Sequence, residues 1–402
     1  MSESLAEAEA LAAPPNLIEE SGNPAWAGVL SLAMGVFGLV TAEFLPASLL
    51  TPIAADLGVT NGAAGQTVTA TAVIGTFAGI LMPVLTRSFD RRLVMWSLTA
   101  LLIASSLLAA LATDLTMLLG ARLLLGIGIG GFWSMMAAMA MRLVPAHLFP
   151  RALSIVFTGV SVATVSAAPI GAYLGDLLGW RAVFGLAAGI GVLTLLVQML
   201  SLPSLPPQSK PNLRTLVDLL RRPSIRLILA TILISISGHF AGFTYVRPFL
   251  EQVPALSIEM ISLTLLAYGV GGFFGNLAGA AITARSAQVS VIAGSFLIAV
   301  TAFVLTAFGT SPWLAAVGVA FWGFAFGAIP VGVQTWIVQA APDQPEGASG
   351  LIVAAFQIAI ASGAVLGGLL VDSMGPTGVI GYCGLATLLG AALVFGLGRK
   401  AA

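Results

Sequence analysis

The sequence predicts an all-α integral membrane protein with twelve transmembrane helices in two six-helix bundles. Three observations predict it. Charged residues make up 8% of the chain and apolar residues 58%, against roughly 25% charged in a soluble domain. Apolar runs of about 20 residues, long enough to cross a bilayer, recur from residue 26 to residue 398 without strand-like alternation. Finally, Ser166, Gly171, Asp176 and Gly179 recur as Ser362, Gly367, Asp372 and Gly375, a constant offset of 196 residues.

In order, the predicted crossings are 26–50, 63–86, 93–112, 115–142, 151–177 and 181–201, then 225–249, 258–283, 288–309, 313–340, 348–372 and 376–398. Before them, residues 1–24 carry five glutamates and no basic residue, so they lack the n-region of a signal peptide and read as a disordered cytoplasmic tail. The second crossing ends at a loop containing Arg87, Asp90, Arg91 and Arg92, and the fourth at Arg142. Residues 203–224, rich in proline and carrying Lys210, Arg214, Arg221 and Arg222, separate a 25–202 bundle from a 225–398 bundle. This linker reads as partly helical around 213–220. Residues 399–402 form a short second tail.

Basic residues fix the predicted orientation. Thirteen fall on one side and only Arg181 and Arg247 on the other, with Arg122 left inside the membrane. By the positive-inside rule both termini are cytoplasmic. Six helices repeated in the same orientation place a binding site between the bundles near the midplane.

The composition excludes several functions. The formal net charge is zero, so nucleic acid is not a partner, and the single Cys383 leaves no disulfide and no Cys-rich metal site. Gly126-Ile-Gly128-Ile-Gly130-Gly131 lies inside an apolar helix rather than after a strand, so it is a helix-packing seam and not a dinucleotide fingerprint. The same small-residue spacing recurs at Gly271, Gly275 and Gly279. The only lysines are Lys210 and Lys400, neither in a Gly-Lys-Ser/Thr setting, so the chain holds no P-loop. No metal or cofactor is expected, and no enzyme. Uphill transport would draw on an ion gradient, H+ or Na+, or on a separate ATPase subunit.

Two charges remain inside the membrane. Glu43 lies 17 residues beyond Trp26, ~25 Å along a helix rising about 1.5 Å per residue. An acid at that depth costs about 2.5 kcal/mol or more, which makes it a functional-site hypothesis. Burial favours its neutral form and a nearby arginine its charged form, so such a group can take up and release a proton. The alternative is a carboxyl hydrogen-bonded to Thr41 or backbone at a kink near Pro46. Arg122 lies ~12 Å into the layer and cannot shed its proton. Its partner is Glu43, a carbonyl cluster or an anionic substrate group; a structural and coupling role is favoured.

Aromatic planes with a few polar groups suit a flat, uncharged ligand. The substrate-binding candidates are Phe132, Trp133, His239, Tyr245, Asn276, Trp336 and Gln357.

Taken together, residues 25–398 resemble the major facilitator superfamily, in particular its twelve-helix drug:proton antiporter group. Arg122-Leu-Leu-Leu-Gly126 is similar to motif B, whose arginine is implicated in proton coupling. Gly159 with Ala168-Pro169-Ile170-Gly171 resembles motif C, with Ala168 where glycine is usual, and makes Pro169 and Gly171 gating candidates. Pro83 to Arg92 resembles motif A, with Arg87 at the usual aspartate position and Asp90 at the usual glycine. Asp90, Arg91 and Arg92 are therefore expected to pair with the neighbouring half at a gate. Glu43-Phe-Leu-Pro, Gly130-Gly-Phe-Trp-Ser-Met and Phe243-Thr-Tyr-Val-Arg-Pro248 look most like the purine ribonucleoside efflux pumps; sugar efflux transporters share some elements.

The resemblance implies proton-coupled export of inosine- or guanosine-like nucleosides from a monomer in the bacterial inner membrane. Sugar or multidrug efflux is the rival within transport, and a membrane sensor or scaffold the rival outside it.

Overall fold

The computed structural model describes residues 24–145, 148–206 and 213–401. The expected tail 1–24 therefore lies outside the described residues except for Pro24, as does Lys210 of the linker.

Among the described residues there is no strand. The elements are α1 (Trp26–Ser48), α2 (Leu50–Leu57), α3 (Asn61–Leu85), α4 (Arg91–Ala110), α5 (Leu115–Leu143), α6 (Phe149–Leu178) and α7 (Trp180–Ser201). After α8 (Leu213–Leu220), within the linker, come α9 (Pro223–Thr244), α10 (Val246–Gln252), α11 (Ile258–Thr283), α12 (Ala287–Phe308), α13 (Pro312–Ala340) and α14 (Pro345–Ala401). Eleven of these are apolar and long enough to span a bilayer, and the last is folded at Gly375 (φ 74°) into two limbs, which makes twelve crossings.

Side-chain caps explain several starts. Thr60, Asp114, Ser257 and Ser286 each accept a hydrogen bond from the backbone N–H three residues on, closing orphan donors of α3, α5, α11 and α12. Pro223 and Pro312 open α9 and α13, where a missing N–H is harmless.

The repeat extends to the breaks between helices. The first crossing pauses at Leu49 (φ −109°, ψ 10°) before continuing as α2, and the seventh pauses at Tyr245 (φ −110°, ψ 19°) before continuing as α10. The left-handed joints at Gly179 and Gly375 repeat in the same way. Both pairs stand 196 residues apart, the offset seen in the sequence. The first crossing therefore runs past its expected end at residue 50, because the backbone repairs its ladder across the break through Leu49 N–H to Leu45 O and Ile53 N–H to Leu49 O.

Within the first bundle α3 packs on α5 and α1 on α6; within the second, α9 packs on α14 and α11 on α13. The bundles meet along α3 with α14 and α6 with α11. Glycine seams allow the close approaches: a Cβ at Gly130 would collide with the Gly75 carbonyl, and one at Gly275 with the Phe324 carbonyl. Overpacking costs about 1–3 kcal/mol or more where backbone blocks the added atoms. Gly275→Leu is accordingly expected to lower the heating midpoint in detergent by several degrees, while Leu277→Ala on the exposed side of α11 leaves it near the unaltered value. A fluorescence-detected melt read by size-exclusion chromatography checks this.

The polar ties that join the bundles gather at the end away from the linker, here called the distal end. Arg247, 5% exposed, donates through Nη1 to Ser48 O (2.5 Å) and pairs through Nε with Glu251 Oε1 (2.7 Å), which also accepts from Thr51 Oγ1 (2.9 Å). Asp372 accepts from Thr60 Oγ1 (2.7 Å) and from Gly62 N–H (3.0 Å), so a carboxylate of α14 sits on the positive N-terminus of α3. Tyr245 Oη donates to Ala364 O (2.9 Å) and lies 3.4 Å from Gly62 O.

The ties described at the linker end join each bundle to the linker rather than to the other bundle. Arg222 forks onto Asp343 at 2.6 and 2.7 Å, and these bonds hold the Asp343 carboxyl down to about 2. Asp90 caps α4 through Arg92 N–H (2.8 Å) and accepts from Ser204 Oγ and Leu205 N–H (3.0 Å). Desolvation raises the Asp90 carboxyl, but these hydrogen bonds and Arg92 outweigh it and the net shift is downward.

Candidate functional site

Glu43 sits one and a half turns before the break at Leu49, on the face of α1 turned to the second bundle. With Phe44, Ala47 and Val68 of the first bundle and Phe240, Phe243, Thr244 and Ile360 of the second, it lines a cleft with room for no more than a water molecule. The Gln357 amide of α14 and the Arg122 guanidinium both lie near enough to the Glu43 carboxyl to act on it. The acid of one bundle and the amide of the other therefore meet at the interface.

Arg122, 1% exposed, is the counter-charge, but it does not grip the carboxylate. Its Nη1 donates to Ala42 O (2.9 Å) and its Nε to Thr67 O (3.4 Å), while Nη2 has no partner. Of the partners open to it, the carbonyl cluster is the one observed, and among the described residues no ion pair joins Arg122 to Glu43. The arginine bonds the carbonyl of the residue before Glu43, so it fixes the backbone that carries the acid and acts on the acid through space.

The substrate candidates separate in space. Gln357, 4% exposed, lies near Glu43 with its amide against Gly75 of α3. His239 lies behind it, 1% exposed, accepting from Trp322 Nε1 at Nδ1 (3.0 Å) and standing 3.3 Å from Tyr268 Oη at Nε2. Tyr245 is fully buried and serves the distal contacts described above. Phe132 is buried within the first bundle against Gly35, and Trp336 is buried within the second. Trp133 is half-buried beside Phe157, their rings 6.0 Å apart. Asn276 is exposed on α11, one turn from Gly272 and two from Gly269, which packs on Val165 of the first bundle. Its backbone nitrogen, like Gly272, lies against Gly327 of α13 in the same bundle.

The gating candidates separate likewise. Pro169 and Gly171 are buried in α6, Gly171 against Leu45 and Ser48 of α1. Asp90 and Arg91 engage residues 204–205 at the start of the linker, Arg91 through its N–H to Leu205 O (2.9 Å), and the Arg92 guanidinium stacks over Trp96 (5.0 Å). Among the described residues, the contacts of this loop are with the segment after α7. The physical reason is the sequence change itself, since Asp90 at the helix start is an N-cap whose spare oxygen faces Ser204.

Sequence reasoning missed Phe44, Phe243, Tyr268 and Phe326. The Phe243 ring stacks on Tyr268 (5.0 Å) and meets Phe44 edge-on across the interface (5.7 Å), and Phe326 stacks flat on His239 (3.7 Å). These are ordinary apolar residues in apolar helices, and only the fold gathers them around one histidine.

Comparison with known proteins fits this geometry. The family model of the Major Facilitator Superfamily matches residues 30–352. The chain belongs to the major facilitator superfamily. As a member of it, the chain is a multi-pass membrane transporter and not an enzyme. The purine ribonucleoside efflux pump NepI of Salmonella enteritidis PT4 is 39% identical over 371 residues, 92% of this chain and 94% of that protein. Its Shigella sonnei counterpart of the same name is 41% identical over 372 residues, again 92% and 94%. Among solved structures, a D-xylose–proton symporter shares the fold with a TM-score of 0.74 at 18% identity, covering 92% of this chain and 97% of that one. A POT family transporter bound to 5-aminolevulinic acid matches with a TM-score of 0.75 at 13% identity, covering 95% and 98%.

Proposed function

We propose that the chain exports purine nucleosides, inosine- or guanosine-like, in exchange for protons. The observation that carries the substrate is the 39–41% identity, over nine-tenths of the chain, to pumps named for purine ribonucleosides. The observation that carries the coupling is a part-buried acid lining the cleft at the bundle interface, with a buried arginine fixing its backbone. In this reading two bodies, residues 25–202 and 225–398, rock about the site, joined by the 203–224 linker. Both tails lie in the cytoplasm, and the protein is a monomer in the bacterial inner membrane.

The distal end is then the outer face, closed in this conformation by Arg247, Glu251 and Asp372. Nucleoside enters from the linker side, and protonation of Glu43 from outside displaces it and releases the Gln357 contact. Asn276 and Trp133 lie along the entry path, with Phe243, Phe44 and Gln357 at its end. The Asp90, Arg91 and Arg92 loop and the Pro169–Gly171 turn steer the bundles as the face changes.

Counterflow into proteoliposomes tests the substrate. Labelled inosine is expected to accumulate when unlabelled inosine is loaded inside, and a sugar and a cationic dye are not. Failure of inosine to exchange defeats the nucleoside assignment.

A further inference from the structure

The geometry points to Tyr268 as a specificity-determining hydrogen-bond donor for the purine base, held in that role by Trp322 and His239; this rests on the nucleoside reading. An indole N–H can only donate. Because Trp322 Nε1–H is aimed at His239 Nδ1 (3.0 Å), that nitrogen carries no proton and the ring is the neutral Nε2–H form. The Nε2–H must in turn donate to Tyr268 Oη (3.3 Å). The direction of each bond is thus fixed by the tryptophan, and the phenol's own proton is left over.

Among the described residues nothing accepts that proton, although Tyr268 is only 4% exposed. A buried donor without a partner is costly unless a ligand completes it. Tyr268 lies directly behind Phe243, which lines the cleft beside Glu43, and the Thr244 hydroxyl in the same wall also lacks a partner. When Phe243 turns aside to stack on an entering base, the tyrosine O–H meets the edge of that base. A donor there selects a base with a carbonyl at position 6, as in inosine and guanosine, over one with an amino group, as in adenosine. Phe326, flat against His239, blocks rotation of the imidazole and so preserves the order of the relay.

The test is the inosine-to-adenosine preference in proteoliposome counterflow. Tyr268→Phe is expected to reduce that ratio about tenfold, mainly through a higher KM for inosine with adenosine little changed. Trp322→Phe, which touches no substrate, frees the imidazole to turn its proton the other way and take up the phenol's; it is expected to reduce the ratio by about threefold or more. A purely structural role for either residue lowers both substrates together and leaves the ratio alone. Inosine exchange with an unchanged ratio in both variants overturns the relay while the nucleoside reading stands. Absence of inosine exchange in the unaltered protein overturns both. If Tyr268→Phe fails to fold, the ratio in Trp322→Phe decides.

Discussion

Glu43→Gln protein is expected to exchange inosine across a membrane but to lose all dependence of that exchange on pH, and to export no nucleoside against its gradient. The substitution keeps the shape of the side chain and removes the group that changes charge. In the cleft the acid shares the wall with Phe44, Phe240 and Phe243, with the Gln357 amide near it, so its charge is the quantity that differs between a loaded and an empty site. An isolated charge cannot cross an apolar layer cheaply. Only a neutralised Glu43, protonated or screened by Arg122, lets the empty bundles exchange faces. An amide is neutral at every pH, so the proton gradient has nothing to act on. Uphill efflux should fall to the rate of empty liposomes, at least a hundredfold, while counterflow stays within about tenfold. Retained uphill efflux in the variant removes Glu43 from the mechanism.

The second large effect is expected at the distal end. Arg247→Ala leaves the part-buried Glu251 and the Ser48 carbonyl without their cation, and breaking such a pair costs about 3 kcal/mol or more when fully buried. Glu251 is about a quarter exposed, so ~1–3 kcal/mol is the scale for the closed state of this end, or roughly fivefold to a hundredfold in the open-to-closed ratio. Ala47, 5% exposed beside Glu43, reports on that ratio when replaced by cysteine in a Cys383→Ser background. A membrane-impermeant maleimide added at the distal face is expected to label Ala47→Cys at least fivefold faster once Arg247 is removed. Asp372→Asn weakens the carboxylate on the α3 N-terminus and should act in the same direction by a smaller factor, since that contact is worth about 1 kcal/mol. Unchanged labelling in both variants excludes these residues from the outer closure.

Much of this was legible in the chain because the bilayer is a severe solvent. Apolar length alone places the crossings, and the offset of 196 read from the paired residues is the one at which the structure repeats its breaks at Leu49 and Tyr245. Glu43 and Arg122 stand out for the same reason, as charges that the surrounding residues make expensive. Their relation was not legible. Helix boundaries alone could not tell a guanidinium paired with a carboxylate from one bonded to the carbonyls of Ala42 and Thr67. The aromatic shell was hidden for a different cause: Phe243, Tyr268 and Phe326 lie on three helices, α9, α11 and α13, and no local spacing unites them. His239 shows the opposite case, a residue conspicuous in sequence whose both ring nitrogens prove to be engaged by Trp322 and Tyr268. Tyr245, likewise conspicuous in the Phe243-Thr-Tyr-Val-Arg-Pro248 stretch, is spent on the distal contacts rather than on the cleft.

The central claim is that nucleoside and proton share one acid at the bundle interface. Proteoliposomes loaded with a pH-sensitive dye and given an inosine gradient test it most directly. The account predicts that inosine leaving one compartment drives protons the opposite way, and that Glu43→Gln abolishes this proton movement while inosine still exchanges. Inosine flux without any proton flux, or equal proton flux in the Glu43→Gln protein, would contradict it.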